Sequence, residues 1–153
     1  MSEPKLLLDA NVLFPTILRE LLLGLAATGA YQPLWSPRIL EEWARATRKL
    51  GVGAEEIARG EIALLKASWP RASVEVDEDS LAELALPDPD DRHVLAAAIA
   101  GGAEAIITRN AQDFPTRTLA RYGILRRDPD GFLLEHTELP AFGDAVDEVQ
   151  ARA

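Results

Sequence analysis

Short apolar runs alternate along this chain with segments of helical periodicity, and that alternation sets the fold class. Lys5–Leu8 reads KLLL and stops at Asp9, while 105–108 reads AIIT and opens into a polar loop over 109–113. Runs of about four apolar residues bounded in this way have the length of buried strands. After the first, Leu18, Leu21, Leu22, Leu25 and Ala26 recur at the spacing of one helix face over 15–28, which Gly29 closes. Residues 31–35 form a short extended piece. Ser36-Pro37 then supplies an N-cap with proline in the first turn, opening a helix with Ile39, Leu40, Trp43 and Ala44 on one side. Gly51 and Gly53 interrupt, a further helix follows over 55–69, and 73–76 alternates like a strand. Asp88-Pro89 repeats the cap-plus-proline signal before an apolar helix over 94–100, closed by Gly101-Gly102, and 122–125 adds a last strand. Strands alternating with helices predict an α/β fold, with a central, mainly parallel sheet flanked by helices.

Composition narrows the chemistry. With 153 residues and neither repeat nor linker, the expectation is one domain, 1–153, whose last part, through Phe132, Leu133 and Val146, is helical and peripheral. The absence of cysteine excludes a disulfide scaffold, thiolate catalysis and cysteine-ligated zinc. Two histidines, His93 and His136, are too few for a histidine-rich metal site. Any metal must be held mainly by oxygen, which points to magnesium, manganese or calcium. No apolar run reaches the roughly 18 residues of a membrane span, and the opening MSEPKLLLD is too short a run for a signal peptide. A soluble, cytoplasmic protein is expected.

Sites in parallel α/β sheets lie beyond the carboxyl ends of the strands. Asp9 falls there after the first strand, and Thr108, Asn110 and Asp113 fall there after a later one. Asp91 lies in the first turn of the helix preceding that later strand, and Glu42 in the first half of the Ser36-capped helix. Carboxylates gathered from four distant segments repel and raise one another's pKa unless a cation neutralises them. Hard divalent cations prefer such oxygens, lower the pKa of bound water and stabilise phosphoryl charge. Metal-assisted phosphodiester hydrolysis is the chemistry this points to. Each acid also has a plainer reading. Asp9 is a fit N-cap for the next helix, and Asp91 occupies a capping-box-like position three residues after Asp88. Glu42 is one of two adjacent glutamates that suit solvent, Asp113 suits a turn, and His93 suits a helix flank.

The blocks LLLDANVLF, WSPRILEEW and DPDDRHVLAAAIAGGAEAIITRNAQDFP, with YGI and DPDGFL behind them, stand in one order along the chain. Together they resemble the PIN domain family, and within it the VapC-like toxins of bacterial toxin–antitoxin pairs. The resemblance covers about 5–133, leaving 134–153 as a C-terminal helical extension. It implies a three-layer PIN-like fold and a ribonuclease that uses Mg2+ or Mn2+ to cleave single-stranded RNA. It assigns Asp9, Glu42 and Asp91 as catalytic metal ligands. The fourth position, often Asp in relatives, is Asn110 here, with Asp113 three residues on, so either the amide or Asp113 completes the set. Asn11, Ser36 and Thr108 fall at supporting positions. The resemblance also implies a cognate antitoxin, laid across a groove between the 15–28 helix and the helices over 37–69, with Leu22, Trp43 and Trp69 in that surface against a favoured reading of all three as core. A two-fold homodimer is expected as well.

RNA must approach a chain of net charge -9. Basic residues flank the candidate site: Arg38, Arg45, Arg48 and Lys49 on one side, Arg109, Arg117 and Arg121 on the other. Arg19, Arg38 and Arg109 are the expected phosphate contacts, against a solvated-face reading for Arg45, Arg48 and Lys49. A haloacid-dehalogenase-like phosphatase needs a second Asp where Asn11 stands, and a receiver domain needs a lysine after the later strand, where only Arg109 is near. The stronger rival is a non-catalytic or housekeeping PIN-fold module that binds RNA or a partner, for which Asn110 speaks.

Overall fold

The structure, a computed structural model, describes residues 3–136. Four strands, β1 (Lys5–Leu8), β2 (Gln32–Leu34), β3 (Ala105–Ile107) and β4 (Leu125–Arg127), form one parallel sheet in the order β2-β1-β3-β4. Leu6, Leu7 and Leu8 are all buried, as are Ala105, Ile106 and Ile107. Successive strand residues point to opposite faces, so runs buried at every position need cover on both. Helices supply it: α1 (Ala10–Leu13), α2 (Thr16–Ala27), α3 (Pro37–Ala46), α4 (Ala54–Ser68), α5 (Arg92–Gly101), α6 (Thr116–Ala120) and α7 (Pro129–Leu134). The three-layer parallel α/β expectation holds.

From β1 the chain crosses to β2 on one side, and β3 later pairs on the other side of β1. The carboxyl ends of β1 and β3 are therefore the topological switch point, where open parallel sheets place their crevice. Register pairs Leu8 with Ile107, so the next residues, Asp9 and Thr108, emerge side by side. The Asp9 N–H donates to the Ile107 carbonyl at 3.1 Å and extends the ladder to the edge.

Local signals explain the helices that frame this edge. Ser36 Oγ accepts the Ile39 N–H at 3.2 Å and caps α3, with Pro37 behind it. Gly102, at φ 71°, ends α5 in the left-handed conformation that glycine adopts without strain. At Gly101 a Cβ would lie 2.8 Å from Leu34 Cδ1 and 2.9 Å from Val74 Cγ2, so glycine lets α5 sit close against the sheet edge.

Several expectations need correction. The 73–76 strand reduces to an isolated parallel bridge between Trp35 and Ser73. The last strand begins at Leu125, because Gly123, at φ 72°, closes a turn over 121–123. Asp88-Pro89 opens a 3-10 turn, Pro89–Asp91, and α5 starts only at Arg92. Phe132 and Leu133 are buried, with Phe132 edge-on to Tyr31 at 5.3 Å, so α7 belongs to the core and is not peripheral. Leu22 and Trp43 are core, in agreement with the favoured of their two readings and not with the docking surface. Val146 and the extension beyond 136 lie outside the described residues. Among the described residues no helix is long and apolar enough to cross a membrane.

Candidate active site and metal centre

Asp9 is 6% exposed and commits both carboxylate oxygens to the edge of the sheet. Oδ1 accepts the Ala10 N–H at 2.7 Å, while Oδ2 accepts the Thr108 hydroxyl at 2.9 Å and Asn11 Nδ2 at 3.3 Å. Asn11 also donates to Thr108 Oγ1 at 3.0 Å and accepts the Arg109 N–H at 3.1 Å, stitching the two strand ends together. The helix-cap reading of Asp9 is thus correct for α1 and incomplete, since its second oxygen belongs to an inter-strand network. Burial pushes the Asp9 carboxyl above its ordinary value; the bonds from Thr108 and Ala10 pull it back, and nearby Glu42 raises it again.

Asp91 stands at the N-cap position of α5 but does not cap it through its side chain. The capping side chain is that of Asp88, on the preceding 3-10 turn, whose Oδ1 accepts the Asp90 N–H at 2.9 Å. Asp91 Oδ2 is buried with no hydrogen-bond partner. Carboxylate oxygens of Asp88, Asp91 and Asp113 lie within 4.8 Å of one another. Burial first, then the charges of Asp9, Asp113 and Asp88, push the Asp91 carboxyl up to about 7. A buried oxygen without a donor, amid like charges, is costly unless a cation completes it. An all-oxygen donor set of this kind fits a hard divalent ion.

Asn110 and Asp113, the two candidates for the fourth position, are hydrogen-bonded to each other. Asn110 Nδ2 donates to Asp113 Oδ2 at 2.6 Å, and the Asn110 N–H donates to Thr108 Oγ1 at 3.0 Å. The amide orients the acid, and the acid faces Asp91. Arg126 Nη1 ties down the same loop by donating to the carbonyls of Ala111 at 3.2 Å and Phe114 at 2.9 Å. Glu42 stands apart from the three clustered aspartates. It lines the same groove as Asp9, Asp91, Lys49, Arg109 and Asn110, and its carboxylate meets His93 at 3.0 Å. His93 is 1% exposed, so the flank reading is wrong. Ser36 contributes from a distance, by capping the helix that carries Glu42.

The cations sort differently from expectation. Arg19 is buried: Nη1 donates to the carbonyls of Leu13 at 2.6 Å and Phe14 at 3.3 Å, Nη2 pairs with Glu61 at 2.7 Å, and the guanidinium lies over Trp43. It ties α2 to α4 and is no phosphate contact. Arg38 lies 3.8 Å from Glu78 and does not line the groove, and Arg45 and Arg48 pair with Glu41 and Glu55. Arg109 does line it, together with Lys49, whose Nζ sits 4.9 Å from the Phe14 ring centre. Asp88 and His93 therefore escape a reading of the site from sequence, whereas Lys49, a flanking cation weighed there against a solvated face, joins the groove. The spacing of Asp88 and Asp91 is the available signal for the first, since residues three apart in a helical turn share a side. His93 offers only its place at the head of a run of apolar helix residues.

A parallel α/β sheet whose switch point gathers carboxylates from separate segments presents an all-oxygen donor set of the kind hard cations prefer. The PIN domain family model matches residues 5–112, and the chain belongs to that family. Over 49 residues it is 49% identical to the protein named "Putative ribonuclease VapC50" from Mycobacterium tuberculosis (strain ATCC 25618 / H37Rv). That stretch is 32% of this chain and spans 29% of the relative's length. No solved structure matches the chain.

Proposed function

We propose that the protein is a divalent-metal-dependent endoribonuclease that cleaves single-stranded RNA, and that it is the toxin of a type II toxin–antitoxin pair. The observation that carries the nuclease reading is Asp91, whose Oδ2 is buried without a hydrogen-bond partner and whose carboxylate gathers with those of Asp88 and Asp113. Asp9, Asp91, Asp113 and Asp88, with Glu42 at the groove, are the residues that would hold Mg2+ or Mn2+. When bound, such an ion supplies water activation and stabilises charge on phosphoryl oxygens. The protein's own part is positional. Thr108 and Asn11 hold Asp9, Asn110 holds Asp113, and Lys49 and Arg109 receive phosphates along the groove wall. The non-catalytic reading rests on Asn110, and it loses that support because Asp113 brings a carboxylate to the cluster.

The test is cleavage of a labelled single-stranded RNA in Mn2+ against the same mixture in EDTA, for wild type and Asp9→Asn. Activity is expected in Mn2+ alone, with Asp9→Asn lowering it by at least about a hundredfold while the melting temperature stays within a few degrees. Undiminished cleavage by Asp9→Asn overturns the assignment.

The same proposal includes a two-fold homodimer in the cytoplasm and an antitoxin encoded beside the gene. The groove between α2 and α4, lined by Leu23, Gly24, Leu64 and Trp69, suits an apolar helix or extended segment. A neighbouring small protein that co-purifies and silences the ribonuclease supports this; a solitary gene whose expression leaves growth unchanged argues against it.

A further inference from the structure

We propose that His93 is a positioning residue, whose Nε2–H holds the Glu42 carboxylate in place at the groove. The proposal rests on the metal-dependent reading of that groove. His93, the second residue of α5, and Glu42, in the middle of α3, are 51 positions apart and meet at 3.0 Å. Glu42 when ionised offers acceptors only, so the hydrogen of this bond resides on Nε2. The ring is 1% exposed, whereas the Glu42 side chain is 41% exposed. His93 is therefore out of reach of substrate and acts through Glu42.

The bond matters because of what Glu42 lacks. A half-exposed glutamate has three rotatable side-chain bonds and loses much rotamer freedom when it is fixed. Glu42 and Asp9 are the proposed ligands outside the tight group of Asp88, Asp91 and Asp113; Asp9 has its anchor in Thr108, as Asp113 has in Asn110. His93 is the corresponding anchor for Glu42. The burial itself points the same way. His93 Nδ1 is buried with no partner, so the ring sits in an apolar helix at a cost that only the Nε2 bond offsets.

Two amide substitutions separate positioning from packing. Glutamine places its Nε2 close to the position of the imidazole Nε2, and asparagine is one bond too short. In the full chain, Mn2+ binding is followed by the electron paramagnetic resonance of the free ion, with thermal unfolding as the control for folding. His93→Asn is expected to weaken Mn2+ binding about tenfold, and His93→Gln less than about twofold. In a Glu42→Ala background, His93→Asn adds no further loss. Equal losses for asparagine and glutamine, or an undiminished loss in the Glu42→Ala background, overturn the proposal. A wild-type chain that binds no Mn2+ instead refutes the metal reading. The bond is then still read in the metal-free chain, where the His93 Nε2–H signal in 1H–15N spectra exchanges slowly and is lost in Glu42→Ala; a signal that persists there overturns the bond itself.

Discussion

Asp91 is the residue where folding and the proposed activity pull in opposite directions. Its carboxyl is held at about 7 by burial and by Asp9, Asp113 and Asp88, against about 3.9 for an unfolded aspartate. A folded value above the unfolded one means that protonation favours the fold. That contribution is complete below about pH 4 and is gone once the pH has risen through 7. With much of the carboxyl reachable by solvent, screening leaves roughly 1–2 kcal/mol of the effect. In EDTA, Asp91→Asn is therefore expected to raise the melting temperature by about 2–5 °C above pH 7, a gain shrinking towards nothing at pH 4. Melts followed by circular dichroism across that range check it, and a gain independent of pH would contradict an origin in the Asp91 charge. Asp113 and Asn110 permit a second comparison. Asp113→Asn is expected to weaken Mn2+ binding by roughly a hundredfold and Asn110→Ala by about tenfold, since the amide acts only through the acid. The reverse order in a titration would make Asn110 the ligand.

Among the elements, α3 shows how a helix sorts two neighbouring glutamates. Adjacent helix positions point about 100° apart. Glu41 accordingly faces Arg59 on α4, which holds its carboxyl down to about 2, and Glu42 faces His93 and the groove. The helix presents them this way because Ser36 sets where it begins. Ser36→Ala removes the acceptor for the Ile39 N–H and is expected to cost about 1 kcal/mol, lowering the melting temperature by about 2–4 °C. A scanning melt measures it; a loss below a few tenths of a degree would mean that Pro37 alone sets the start. The ion pairs of Arg48 and Arg59 with Glu55 and Glu41 are exposed, and exposed pairs add little.

For the molecule as a whole, the proposed activity sets a difficulty, that of bringing a polyanion to a chain of net charge -9. Lys49 and Arg109 offer a local answer, because they stand in the groove while Arg19 is withdrawn into the helical layer. Lys49→Ala and Arg109→Ala are each expected to weaken single-stranded RNA binding and to lower its logarithmic salt slope by about 0.7. Arg19→Met is expected to leave the slope alone and to destabilise the fold by roughly 1–3 kcal/mol, chiefly because the Leu13 and Phe14 carbonyls lose their donor. Filter binding at several salt concentrations, beside a denaturant titration, distinguishes the two kinds of arginine. A changed slope for Arg19→Met would return it to the RNA path.

Much of this architecture is written locally. The apolar runs before Asp9 and Thr108, the Ser36-Pro37 cap and the glycines after α2 and α5 each act within a few residues, so strand, helix start and helix stop are legible directly. The parallel sheet follows from their alternation, and with it the place where acids gather. Distance along the chain is what local patterns cannot convey. Whether Arg19 meets solvent or Glu61, whether His93 sits on a flank or beneath Glu42, and whether Asp88 only caps a turn are decided by packing between segments tens of residues apart. The same holds for 73–76, where an alternating pattern yields only the bridge to Trp35. Side-chain chemistry and helix boundaries are properties of the sequence; burial, and therefore the charge state and partner of each polar group, belongs to the tertiary structure alone.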